Sequence, residues 1–93
     1  MIAPLKQPTH GETIKLIPGE KEGTYKFNGQ FVATRNAIAK FGEPMILAAY
    51  TMLQREVSKE GGLDYLQVLE IDGERLWFID DVSHVTCLLP EDY

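Results

Sequence analysis

Two aspartates and a histidine near the C-terminal end of the sequence are the residues whose types and spacing best suit chemistry. Asp80 and Asp81 are adjacent, and His84 follows three positions later. Carboxylates and an imidazole can bind a divalent metal, and a carboxylate can orient a histidine that acts as a base. Adjacent acids at a strand end also commonly accept backbone hydrogen bonds in a turn. The triplet therefore defines one alternative, a metal-dependent hydrolase built around Asp80, Asp81 and His84.

The other reactive residue types favour structural roles. Cys87 is the only cysteine, and it lies in an apolar strand pattern between Val85 and Leu89, where a small buried side chain is the default. The glycines match neither of the common phosphate-binding patterns. The leading interpretation therefore predicts no catalytic residue, no cofactor and no metal, although the question of an enzyme stays open.

Charge is distributed unevenly along the chain. Through Lys59 there are five acids against eight bases, and from Glu60 onward there are nine acids against one base, Arg75, for a net charge of −5. Such asymmetry indicates a polar surface for a partner, and a basic protein would complement it. Phosphate contacts need lysine and arginine, so direct nucleic-acid binding is not expected. The candidate binding residues are Glu74, Asp80, Asp81, His84, Glu91 and Asp92.

Length and composition predict one domain over residues 1–93, with an extended lead-in over 1–12 that contains Pro4, Pro8 and Gly11. No stretch reaches the roughly 18 apolar residues of a membrane span, and no signal-peptide core is visible near Met1. A single cysteine suits a reducing compartment. We therefore expect a cytoplasmic protein without membrane contact.

The first half of the sequence predicts a strand over 13–17, a hairpin of 24–27 with 30–33 around Asn28-Gly29, and two helices. Thr34 suits the cap of a short helix over 35–41, which Gly42 ends. A long helix begins near Glu43-Pro44 and ends at Gly61-Gly62. Its apolar face is formed by residues at helical spacing, which are Ile46, Ala49, Tyr50, Leu53 and Val57.

The second half predicts a hairpin of 63–71 with 74–80, joined by Asp72-Gly73, followed by a strand over 85–89. This turn pairs Glu70 with Arg75 and Val68 with Trp77. Because both faces of the hairpin are apolar, we expect it to be central and covered on both sides, with Trp77 in the core. The fold class is α+β: an antiparallel twisted β-sheet of about four to six strands, one long helix packed on a face and a short preceding helix.

The C-terminal part of the sequence contains Trp77-Phe78-Ile79, then Thr86, then Leu88-Leu89-Pro90-Glu91-Asp92-Tyr93. These residues resemble the ending of a family of small uncharacterised bacterial proteins that are often encoded on plasmids and phages. Thr34-Arg35 and Asp64–Val68 are similar to a second small uncharacterised family with the order strand, helix, strand pair. The resemblance implies this order of elements and a mobile-element setting, and it implies no site residue.

These observations predict a non-enzymatic protein-binding accessory factor of phage or plasmid origin. Its acidic surface would act as an antagonist of a host defence or nucleic-acid-binding protein, because carboxylates can substitute for phosphates at a basic groove. Two alternatives stay open: the hydrolase around Asp80, Asp81 and His84, and a structural, self-assembling phage component. A homo-oligomer is compatible with each of them.

Overall fold

The computed structural model describes residues 14–17 and 23–93 of the chain. These residues form five strands and two helices. The strands are β1 (Ile14–Leu16), β2 (Gln30–Ala33), β3 (Leu66–Ile71), β4 (Glu74–Asp80) and β5 (His84–Leu88). The helices are α1 (Arg35–Phe41) and α2 (Glu43–Glu60), and a 3₁₀ turn follows at Pro90–Asp92. The predicted lead-in over 1–12 and Thr13 lie outside the described residues.

The strands form one sheet in the order β1-β3-β4-β5-β2. The pairs β1–β3, β3–β4 and β4–β5 are antiparallel, whereas β2 runs parallel to β5. The predicted α+β fold, with a mostly antiparallel sheet, a long helix and a short helix before it, is confirmed.

The β3–β4 hairpin has the predicted register. Glu70 faces Arg75, Val68 faces Trp77 and Leu66 faces Ile79, around a two-residue turn. Asp72 and Gly73 both have positive φ, of 52° and 86°. Asp–Gly is favoured at such turns because both residues tolerate this conformation. The local sequence is therefore sufficient to predict the register of β3 and β4.

Both helices begin and end as the sequence predicts. The Thr34 side chain accepts a hydrogen bond from the Ala37 N–H at the start of α1. Gly61 ends α2 in the left-handed conformation, where glycine has no Cβ penalty. The residues of α2 that are buried are Ile46, Ala49, Leu53 and Val57.

The predicted hairpin of 24–27 with 30–33 is wrong. Tyr25 makes only an isolated antiparallel bridge with Leu63, and β2 pairs with β5 instead. Phe27 adopts φ 52°, which is rare for a non-glycine residue, and it is fully buried. Its burial takes residues 23–28 out of the sheet, so Asn28-Gly29 leads into β2 rather than closing a hairpin.

The two faces of the sheet differ in their cover. Both helices contribute to one core cluster with alternate strand residues, which include Ile14, Leu69, Ile71, Leu76, Phe78, Val85 and Cys87. The opposite face carries Leu66, Val68, Trp77 and Ile79, which are half-buried and lie outside this cluster. The expectation that both faces are covered, with Trp77 in the core, is therefore corrected for the described residues: Trp77 is half-buried, and both helices lie on the other face. The Trp77 ring instead contacts the ring of Tyr93, at 5.5 Å between centroids.

Within the described ranges, no helix is both long and apolar enough to cross a membrane.

Candidate functional site

Asp80 is a buried structural residue at the end of β4, with only 4% of its surface exposed. Its Oδ2 accepts a hydrogen bond from the Phe27 N–H at 2.8 Å, and its Oδ1 accepts one from the Val82 N–H at 2.7 Å. Both carboxylate oxygens thus satisfy backbone donors, which would be costly to leave unpaired in the interior. Asp80 thereby fixes the left-handed Phe27 and the turn that follows β4.

Tyr50 holds Phe27 from the other side. Its hydroxyl donates to the Phe27 carbonyl at 2.7 Å, and its ring stacks on Phe31 at 4.3 Å between centroids and on Phe78 at 6.1 Å. Burial, together with the nearby charge of Asp80, raises the pKa of the Tyr50 phenol. The tyrosine is therefore a neutral hydrogen-bond donor that joins α2 to the segment before β2.

Asp81 and His84 form the turn between β4 and β5. The Asp81 Oδ1 accepts from the His84 N–H at 2.7 Å and from the Ser83 hydroxyl at 3.2 Å. The His84 N–H is the main cause that lowers the pKa of the Asp81 carboxyl. Ser83 Oγ also lies 3.1 Å from His84 Nδ1. These contacts are those of a side chain that caps a tight turn.

The three residues of the hydrolase alternative do not converge on one cleft. Asp80 is the Cα partner of Val85 and lies with it on the helix-covered face. His84 is the next residue along β5, so strand alternation places it on the opposite face. Across residues 14–17 and 23–93, no group of three or more histidine, cysteine, aspartate or glutamate side chains is arranged to hold a metal ion.

Asp92 ties the C-terminal 3₁₀ turn to the start of α1. Its Oδ2 accepts from the Thr34 hydroxyl at 2.7 Å and from the Leu89 N–H at 3.1 Å, while Oδ1 accepts from Asn36 Nδ2 at 2.8 Å. The bonds from Asn36, Thr34 and Leu89 lower the pKa of this carboxyl. Because Thr34 also caps α1, Asp92 orients the capping side chain.

Glu74 and Glu91, the remaining candidate binding residues, are both exposed. Glu74 forms an ion pair with Lys40 of α1, and this pair is the main cause that raises the lysine pKa. Five of the six candidates thus have partners within the fold: Asp80 and Asp92 bond internally, Glu74 pairs with a lysine, and Asp81 and His84 share a turn. Their role as binding residues stays a prediction.

Cys87 is fully buried on the helix-covered face, as the sequence predicts. Burial raises the pKa of its thiol to about 12, which disfavours the reactive thiolate at neutral pH.

A surface that the sequence did not indicate lies at the β2 edge of the sheet. A cleft of about 220 Å³ opens there between β2 and the two helices, lined by Phe31, Val32, Ala33, Ile38, Glu43, Ile46 and Leu47. Val32, Ile38 and Leu47 are 37%, 37% and 53% exposed. We call this cleft and the outer backbone of β2 the β2 edge surface.

Close packing at the start of β2 fixes the position of the β2 edge surface. A Cβ at Gly29 would lie 2.7 Å from the Ser83 carbonyl oxygen, so the chain enters β2 through a contact that only glycine allows. The Gln30 N–H then donates to the same carbonyl at 3.1 Å. The available sequence signal was modest: Ile38 and Leu47 are apolar but lie beside, rather than on, the buried faces of their helices.

Comparison of the chain with protein-family models, with curated proteins and with solved structures found no significant match.

Proposed function

We propose that this protein is a non-enzymatic, protein-binding accessory factor that uses the β2 edge surface. One observation carries the proposal: β2 is an edge strand that no other described element covers or pairs with on its outer side. Its sequence, Gln-Phe-Val-Ala, has no charge and no proline, and an apolar cleft lies beside it. Natural edge strands are commonly protected by lysine, proline or a covering element, since an open edge pairs with other chains.

The apolar side chains strengthen this proposal. Val32, Ile38 and Leu47 come from a strand and two different helices, yet all line one cleft. Single exposed apolar residues need no explanation, but a contiguous group of them marks an interaction surface. The cleft is smaller than the roughly 300–1,000 Å³ of typical small-molecule pockets, which favours side chains of a protein partner.

A basic partner fits the charge of the molecule. The net charge is −5, and Glu43 lines the cleft itself. A host defence protein or a nucleic-acid-binding protein has such a basic surface, and a role as its antagonist in a phage or plasmid setting agrees with the resemblance of the C-terminal sequence. The acidic residues outside the cleft, such as Asp81 and Glu91, then act through the long-range field.

The test is capture of interacting proteins with a matched pair of variants. Leu47→Lys places a cation at the cleft, and Ser58→Lys adds the same charge at an exposed position further along α2. We expect the wild type and Ser58→Lys to retain a specific partner and Leu47→Lys to lose it. Equal capture by Leu47→Lys, with folding verified by circular dichroism, would contradict the assignment of this surface.

A further inference from the structure

We infer that the β2 edge surface binds its partner as an added β-strand, an extended segment that carries a lysine or arginine opposite Glu43. The inference rests on the proposed function and specifies the chemistry of the partner. It combines three observations: the direction of the β2 backbone groups, the apolar cleft beside them, and the charge that lines the cleft.

Within residues 14–17 and 23–93, no strand pairs with the outer side of β2, so its backbone leaves hydrogen-bonding groups at that edge. Gln30 N–H donates to the Ser83 carbonyl at 3.1 Å and Thr34 N–H donates to the Cys87 carbonyl at 2.9 Å, so these residues face β5. Backbone direction alternates along a strand, and therefore Phe31 and Ala33 direct their N–H and C=O groups away from β5. Two N–H donors and two C=O acceptors are thus positioned for an incoming strand.

The cleft selects the side chains of that strand. Successive side chains of a strand point to opposite faces, so every second residue of an added strand lies on the helix side, over the cleft. Ile38 and Leu47, which line the cleft from the two helices and are 37% and 53% exposed, would contact apolar side chains of the segment. The backbone provides affinity and the cleft provides specificity, as in other cases of strand addition.

Charge favours a basic segment over a second copy of this chain. Among the described residues that line the cleft, Glu43 is the only charged one. Symmetric pairing of two β2 strands would bring a second Glu43 to the same interface, where like charges repel. A segment with a lysine or arginine instead complements Glu43, and the net charge of −5 acts in the same direction.

The inference is tested with a randomised nine-residue peptide library, selected for binding to the full chain. We expect selected peptides to alternate apolar residues and to contain a lysine or arginine. N-methylation of alternate backbone nitrogens should weaken binding at least about tenfold in one phase of the alternation and little in the other, because only one phase donates to β2. Equal effects in both phases would overturn strand addition.

Variants assign the side-chain contacts. Glu43→Gln should weaken binding about two- to fivefold, and Glu43→Lys should prefer peptides in which the basic residue is replaced by glutamate. Leu47→Lys should weaken binding at least about tenfold, and Ser58→Lys should not change it. Peptides that bind all four variants equally, or that carry no basic preference, would overturn the inference.

The oligomeric state separates the remaining outcomes. Sedimentation should show a monomer in the micromolar range, and a dimer that Leu47→Lys dissociates would assign the edge to a second copy and overturn the inference. If strand addition fails while a protein is still captured through Leu47, the proposed function stands and only the binding mode is wrong. If neither peptide nor protein binds in a Leu47-dependent way, both proposals fail.

Discussion

At the scale of single residues, two acids that the sequence suggested as binding residues are internal connectors in the structure. Asp80 joins β4 to Phe27, and Asp92 joins the C-terminal turn to the cap of α1. In both cases a carboxylate accepts hydrogen bonds from donors distant in sequence. A short acidic motif cannot distinguish such a role from metal binding, because the donors become visible only when the chain is folded.

We predict that Asp92 makes stability depend on acidity. The pKa of its carboxyl is lower in the folded chain than in the unfolded chain, where it is about 3.9. The stability that the charged carboxylate contributes is therefore fully present above the unfolded pKa and is lost as the pH falls through the folded pKa. Asp92→Asn should therefore be less stable than the wild type at pH 7, and the difference should shrink at pH 3. Urea denaturation at the two pH values measures this, with the exposed neighbour variant Glu91→Gln as the control.

The same denaturation experiment defines the result that would contradict this prediction for Asp92. A stability difference between the wild type and Asp92→Asn that is the same at both pH values would show that the carboxylate charge contributes nothing, and that only the shape of the side chain matters.

At the scale of elements, the sequence predicts strand pairs joined by a short turn better than pairs of strands that lie far apart in the chain. The β3–β4 register could be predicted because Asp72-Gly73 fixes a two-residue turn. The pairing of β2 could not, because its partner β5 is more than fifty residues away and the competing Asn28-Gly29 pattern is local. The left-handed Phe27, which decides between them, depends on Asp80 and Tyr50, two residues far from it in sequence.

Helix α2 offers a direct test of its buried face. Leu53 is fully buried, whereas Leu47 is about half exposed on the same helix. Leu53→Ala should lower the free energy of unfolding by about 2–4 kcal/mol, through lost burial and an unfilled cavity. The same substitution at Leu47 should cost less than about 0.5 kcal/mol, as is usual for surface positions. Chemical denaturation that gives equal losses would show the face to be wrongly assigned.

At the scale of the whole molecule, the uneven charge acts as a field rather than as a site. Most of the acids proposed as binding residues are engaged within the fold, so the proposed function assigns them a long-range attraction. Such attraction speeds encounter more than it slows dissociation, and salt screens it. In the proposed function, the β2 edge surface and the negative field are therefore parts of recognition that can be tested separately.

We predict that charge reversal away from the cleft changes the association rate alone. Glu60→Lys with Glu91→Lys changes two exposed acids and moves the net charge from −5 to −1, since each reversal adds two units. Association of a selected basic peptide should slow and lose much of its salt dependence, with little change in dissociation. Stopped-flow measurements at low and high salt provide the check, and a faster dissociation with unchanged association would refute it.

The parallel pairing of β2 with β5 has a consequence for the order of events during synthesis. Gln30 leaves the ribosome well before its partner strand, which starts at His84. Until β5 is made, β2 has no place in the sheet, Gly29 has no Ser83 to pack against, and the outer edge of β2 has no fixed direction. Under the proposed function, recognition would therefore require synthesis through β5: a nascent chain that stops before β5 would present no docking strand.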